Sequence, residues 1–209
     1  MDSIKFDQQF NQPVCGIDEV GRGPLAGPVV AACVFIKPES QNEVFWAEIT
    51  DSKKISAKKR EILFDKIITH SLYGIAELSS LEVDRLNIHQ ATLEAMKLAY
   101  EMVADQLPDD VMALVDGKFP PKLRCKTQTV IKGDSLSTSI GAASILAKVH
   151  RDRLMHQFHE EYPYYAWNSN AGYGTKAHME GLQKYGLSPY HRLSFAPCSK
   201  IAENMKKLP

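Results

Sequence analysis

The chain has 209 residues, 44% apolar and 24% charged, with 25 basic and 25 acidic side chains, a composition that fits one globular domain and excludes a fibrous or disordered chain. No apolar run approaches the roughly eighteen residues of a membrane helix, the N-terminus M-D-S-I-K-F-D-Q-Q-F lacks the apolar centre of a secretory signal, and cysteines 15, 33, 125 and 198 show neither metal-finger nor disulfide spacing, so a cytoplasmic protein without membrane contact is expected. The neutral total hides a split, 11 basic and 18 acidic residues in the first 110 positions against 14 and 7 in the rest, which leaves room for a phosphate-facing surface in the second half.

Residues 14–20 and 28–36 read as short buried strands, rich in Val and Ile and bounded by Gly and Pro. They form a hairpin around G-R-G-P-L-A-G, and the first ends in two acids, Asp18 and Glu19. The basic loop D-S-K-K-I-S-A-K-K-R (51–60) follows. Ser56 is placed to cap a helix over 57–70 with Ile62, Leu63, Ile67 and Ile68 on one face. Residues 72–78 read as a third strand, and Asn87 as the cap of a helix running to about Leu107, stopped by Pro108. Two further apolar strands follow: 111–115, ending at Asp116-Gly117, and 127–131, ending at Lys132-Gly133-Asp134. A long helix is expected from near Ser135 to about Tyr162, its first turns full of Ser, Gly and Ala that let it lie close on a sheet. An aromatic loop (162–167), a glycine turn (171–174), a helix over 176–185, the segment H-R-L-S-F (191–195) and a polar tail complete the chain. This order predicts a mixed α/β sheet in one domain.

Three strands thus end in acids: Asp18 with Glu19, Asp116, and Asp134. Strand ends of an open α/β sheet are where ligand sites form. Four carboxylates gathered there repel one another unless cations neutralise them, and hard oxygen ligands select Mg²⁺ or Mn²⁺. Such a set suits phosphodiester cleavage with two ions. Plainer roles exist for each acid. Asp134 could cap the following helix, and Asp116-Gly117 is a common turn pair. Asp18 and Glu19 point to opposite faces of a regular strand, so they share a site only where the strand ends or bulges. Gly16-I-D-E-V-Gly21-Arg22 is no phosphate loop, lacking Lys-Ser/Thr, and Gly21-x-Gly23-x-x-x-Gly27 is too long for a dinucleotide fingerprint. Gly133-Asp134-Ser135-Leu136 spells a serine-esterase signature, but no Asp-x-x-His occurs to activate Ser135. An esterase is the alternative reading.

The motifs G-I-D-E-V-G-R-G-P-L-A-G-P-V (16–29), D-S-K-K (51–54), V-D-G (115–117), K-G-D-S-L-S-T-S-I-G-A-A-S-I-L-A-K-V-x-R-D (132–152), G-Y-G-T-K-x-H (172–178) and H-R-L-S-F (191–195) together resemble ribonuclease HII, over about Val14 to Pro197. The related ribonuclease HIII pattern has Lys in place of Arg22 and an added N-terminal domain. The resemblance implies a ribonuclease H-like fold, a five-stranded mixed sheet flanked by helices with a helical C-terminal extension. It implies one catalytic domain, with a core over about 1–160 and the extension over about 161–209. It further implies a monomeric, Mn²⁺- or Mg²⁺-dependent endonuclease that cuts the RNA strand of RNA–DNA hybrids, and cuts 5′ of a single ribonucleotide embedded in duplex DNA. Products would carry 3′-hydroxyl and 5′-phosphate ends. The implied ligands of two ions are Asp18, Glu19, Asp116 and Asp134, with Asp18 the bridging candidate. Gly21, Arg22 and Gly23 match the loop that contacts the ribonucleotide and its phosphates, and Tyr173 the tyrosine that packs on the sugar and senses the 2′-hydroxyl. Only that hydroxyl tells RNA from DNA at a given site. Lys53, Lys54, Lys148, Arg151 and Lys176 are candidate phosphate contacts. His191 and Arg192 follow the family pattern without an assigned role.

Overall fold

The computed structural model describes residues 6–49, 52 and 55–205. Lys53 and Lys54, expected at substrate phosphates, lie outside the described residues. Five strands form one sheet: β1 (Val14–Val20), β2 (Val29–Ile36), β3 (Ser71–Leu78), β4 (Met112–Asp116) and β5 (Lys126–Val130), in the order β3-β2-β1-β4-β5. β1 is central. It runs antiparallel to β2, as the hairpin predicts, and parallel to β4, which is parallel to β5. Every residue of β2 is buried, the signature of a strand covered on both faces. The helices are α1 (Ala57–His70), α2 (Ser80–Leu86), α3 (Ile88–Glu101), α4 (Gly133–Leu136), α5 (Thr138–Glu161), α6 (Trp167–Asn170), α7 (Lys176–Tyr185) and α8 (Cys198–Met205). No described helix is long and apolar enough to cross a membrane.

The caps read from the sequence are present. Ser56 accepts from the amide of Lys59 at the start of α1, and Asn87 accepts from those of His89 and Gln90 at the start of α3. Three expectations change. The helix expected to reach Leu107 ends at Glu101 and passes through a short 3-10 turn at Ala104–Gln106. α2 lies where no element is expected, although its capping box, Ser79 with Glu82, is legible in the sequence. The long helix expected from Ser135 is broken at Ser137, whose backbone is extended. Two residues cap the new start of α5: Ser137 Oγ accepts from Ile140 N (3.2 Å), and the Asp7 carboxylate accepts from Ser139 N (2.8 Å).

The chain divides into two compact units. The first comprises the stretch up to Val20, Val30–Ala76 and Thr92–Val149; the second comprises Gly21–Val29, Glu77–Ala91 and the stretch from His150 onward. In the first, Val30, Ala32 and Val34 of β2 pack with Trp46, Leu63, Ile67, Ala143 and Leu146. Each large side chain buried there contributes about 1.5–3 kcal/mol. The small residues of α5 let its backbone approach the sheet. At Gly16 of β1 a Cβ would stand 2.1 Å from the carbonyl carbon of Ser139, so only glycine fits. The second unit is built on aromatic rings: Tyr165, Trp167, Leu25, Met155, Leu182 and Cys198 form its core, with Phe158, Tyr162 and Tyr190 against them.

Candidate active site

The four acids all belong to the first unit. Asp18 is 6% exposed. One of its carboxylate oxygens accepts from the amide of Glu19 (2.7 Å), and Ser144 of α5 hydrogen-bonds to its carboxylate. Ser144 Oγ is in turn 2.9 Å from Ser52 Oγ, so Ser52 is linked to the Asp18 carboxylate through two hydroxyls. Burial, then the charges of Glu19 and Asp116, push the Asp18 carboxyl well above the usual carboxylate range. This is what an acid cluster without a countercharge produces.

The adjacency of Asp18 and Glu19 is not relieved by a bulge. β1 keeps an unbroken register with β2 through Val20↔Val30. On its other side, however, the ladder to β4 stops at Ile17↔Val115. Both acids therefore lie beyond the last β1–β4 pair, where the strand is open on that side. Asp116 ends β4, and one of its oxygens accepts from Gly133 N (2.7 Å), the residue before Asp134. The first residue of the one-turn helix α4 is thereby held on the Asp116 carboxylate, and Asp134 follows it in the chain. Asp134 does not cap the long helix, because Ser137 and Asp7 do. Its carboxylate accepts instead from Ser135 Oγ (3.2 Å). Ser135 Oγ also lies 3.3 Å from the Lys132 carbonyl, so its bonds run to oxygen acceptors and give the esterase alternative no support.

Of the four acids, Glu19 and Asp116 lie close enough to Asp18 to act on its charge, and carboxylate oxygens are the donors that a hard divalent cation selects. Among the described residues no group of three or more His, Cys, Asp or Glu side chains is placed so that it could hold a metal ion.

Gly21, Arg22, Gly23 and Tyr173, expected from the sequence at the ribonucleotide, belong to the second unit, and Lys148 to the first. Gly21 is buried, while Arg22 and Gly23 are exposed. Gly21 has φ +91°, and a Cβ there would stand 2.3 Å from Arg151 Nε, so glycine is required twice over. The Tyr173 ring is 48% exposed and lies against Gly23, whose Cβ would be 3.4 Å from Cε1. Lys176 is exposed beside Glu180, and Lys148 is half-buried. Arg151 is not a phosphate contact. It is 1% exposed and donates to the carbonyls of Pro28 (2.8 Å), Ala171 (2.8 Å) and Ala26 (3.0 Å). Desolvation lowers its guanidinium to about 10.

A family profile described as Ribonuclease HII matches residues 15–198. The ribonuclease HII of Rickettsia bellii is 48% identical over 198 residues, covering 93% of this chain and 96% of its own length. That of Paramagnetospirillum magneticum is 44% identical over 200 residues, covering 96% and 98%. Among solved structures, ribonuclease H2 from Pyrococcus horikoshii matches with a TM-score of 0.72 at 25% identity, covering 93% of this chain and 99% of that one. A Bst ribonuclease HIII solved in complex with Mn²⁺ shares the fold, with a TM-score of 0.68 at 17% identity, over 99% of this chain and 74% of that one.

Proposed function

The chain belongs to the ribonuclease HII family, whose members are ribonuclease H endonucleases, and from that premise we propose that it uses divalent ions to cut the RNA strand of RNA–DNA hybrids and to cut 5′ of single ribonucleotides in duplex DNA, leaving 3′-hydroxyl and 5′-phosphate ends. The observation that carries the metal reading is Asp18. A carboxylate pushed up in proton affinity first by burial and then by the charges of Glu19 and Asp116 is unfavourable in isolation and favourable around a cation. Asp134, which does not cap α5, is the fourth acid of the proposed set.

Asp18, Glu19, Asp116 and Asp134 would hold two ions, Mn²⁺ or Mg²⁺; a structural neighbour is described with Mn²⁺. When bound, such ions supply Lewis acidity at the attacking and leaving oxygens of the phosphodiester. The chain's own residues do the rest. Ser144 and the Glu19 amide hold the Asp18 carboxylate in one orientation. Gly21 and Gly23 bring backbone close to the ribonucleotide, exposed Arg22 meets a phosphate as a fork of donors, and Tyr173 packs on the sugar. Lys53 and Lys176 add phosphate attraction. The test is a duplex with one embedded ribonucleotide, incubated with EDTA, Mg²⁺ or Mn²⁺ and resolved on a gel. Cutting 5′ of the ribonucleotide with either ion and none in EDTA is expected; metal-independent cutting would sink the proposal.

A further inference from the structure

Two adjacent residues, His191 and Arg192, have no part in the chemistry above, yet they are 2% and 0% exposed. Arg192 directs its guanidinium at the backbone carbonyls of one loop. Nη2 donates to Gly21 O (2.6 Å) and Gly27 O (2.9 Å), Nη1 to Arg22 O (3.0 Å) and Pro24 O (2.9 Å), and Nε to Gly27 O (3.1 Å). A guanidinium is a rigid planar fork, so the Gly21–Gly27 loop is folded around a fixed template. The Arg192 amide adds a bond to Leu25 O (2.9 Å), and Leu25 N bonds Gly172 O (2.8 Å), one residue before Tyr173.

His191 leads to Tyr173 by a second route. Ser188 N donates to His191 Nδ1 (2.9 Å), so the neutral ring carries its proton on Nε2. That proton goes to His178 Nε2 (3.0 Å), which also accepts from Trp167 Nε1 (3.2 Å). His178 must then carry its own proton on Nδ1, and it donates to the carbonyl of Tyr173 (2.9 Å). Each tautomer is set by its neighbour. Burial keeps both rings neutral, holding His191 down to about 4 and His178 below its ordinary value.

We propose that His191 and Arg192, with His178, are positioning residues that fix the Gly21–Gly23 backbone against the Tyr173 ring and thereby set discrimination for the ribose 2′-hydroxyl. The proposal rests on the reading of that loop and of Tyr173 as the ribonucleotide-recognising elements. A recognition group displaced by a fraction of an ångström loses its differential contact with the sugar.

The experiment measures kcat/KM on a duplex with one embedded ribonucleotide and on a uniform RNA–DNA hybrid, and reads their ratio. Four variants are compared with the wild type: His178→Gln, His178→Asn, Arg192→Lys and the double variant Tyr173→Ala/His178→Gln, with Tyr173→Ala as the reference. Asn places its amide nitrogen where Nδ1 stands and keeps the bond to Tyr173 O; Gln does not. His178→Gln is expected to shift the ratio about tenfold toward the hybrid, the size of one lost hydrogen bond, and His178→Asn to retain most of it. In the Tyr173→Ala background, His178→Gln is expected to shift the ratio no further, because its effect passes through that ring. Arg192→Lys keeps the charge, loses the fork and is expected to shift the ratio likewise, which covers the case of a His178 variant that does not fold. A selective wild type whose ratio ignores both His178→Gln and Arg192→Lys overturns this proposal alone, as does an equal further loss in the Tyr173→Ala background. A ratio unmoved by Tyr173→Ala itself overturns the recognition reading and this proposal with it.

Discussion

Asp18 is where fold and chemistry make opposite demands on one side chain. It sits on the central strand with little solvent, and its neighbours Glu19 and Asp116 raise its proton affinity. Asp18→Asn removes the charge at almost constant volume. Cleavage is expected to fall about 10³-fold or more, as measured by single-turnover kinetics in Mn²⁺. The same variant in EDTA is expected to gain about 1–2 kcal/mol in urea unfolding at neutral pH, because a buried repulsion is gone. A variant both active and unaltered in stability would remove Asp18 from the site. At this scale the sequence offers its candidates where an acid follows an apolar run, as at Asp18, Asp116 and Asp134. It is silent on Ser144, which looks like one more small residue on a close-packed helix until the fold puts it on the Asp18 carboxylate. It also misleads at Arg151, because a cation in a basic, Ser-rich segment looks like a surface charge and nothing local announces its burial under three carbonyls.

Elements show the same mixture of local and distant causes. α1 follows from Ser56 and its apolar face, and the β1–β2 hairpin from two Val-rich runs. The break at Ser137 does not follow from local pattern, because part of the cap that starts α5 is Asp7, 132 positions away. That break keeps Asp134 in its own short turn. Gly16→Ala is expected to disturb it from below. The added carbon would overlap the Ser139 backbone, costing about 3 kcal/mol and moving the start of α5. Urea midpoints and residual activity should fall together. The histidine pair gives its elements an acid limit. The unfolded chain takes up a proton at His191 below its ordinary 6.5, but the folded protein only near 4. Between those values the unfolded state holds more protons, so stability drops as the pH is lowered, by at most about 3 kcal/mol. Denaturant midpoints at pH 7 and 4.5 should show the drop, flattened in His191→Gln.

For the molecule as a whole, the charge split along the sequence does not survive folding. The second unit draws on three segments and carries 10 basic and 8 acidic residues against 15 and 17 in the first. Segments 21–29 and 77–91 join the C-terminal stretch, a grouping set by long-range contacts that no periodicity records. Under the proposed function, phosphate attraction would therefore rest on particular side chains, above all exposed Arg22, and not on a basic half. Divalent ions act on the whole equilibrium. Anything that binds the folded state alone stabilises it by mass action, about 2.7 kcal/mol at a hundredfold excess over Kd. Melting temperature is expected to rise with Mn²⁺ or Mg²⁺ in the wild type and to stay flat in Asp18→Asn; a rise of equal size in both would place the ions elsewhere.

The hydrogen bonds from Ser188 through His191 and His178 to Tyr173 run in one direction. Each ring passes one proton forward, so neither can be turned over without reversing the other. Over evolutionary time positions 178 and 191 should therefore behave as a single heritable character. Across relatives they are expected to change together or not at all, while exposed Lys184 nearby in the chain drifts without restraint.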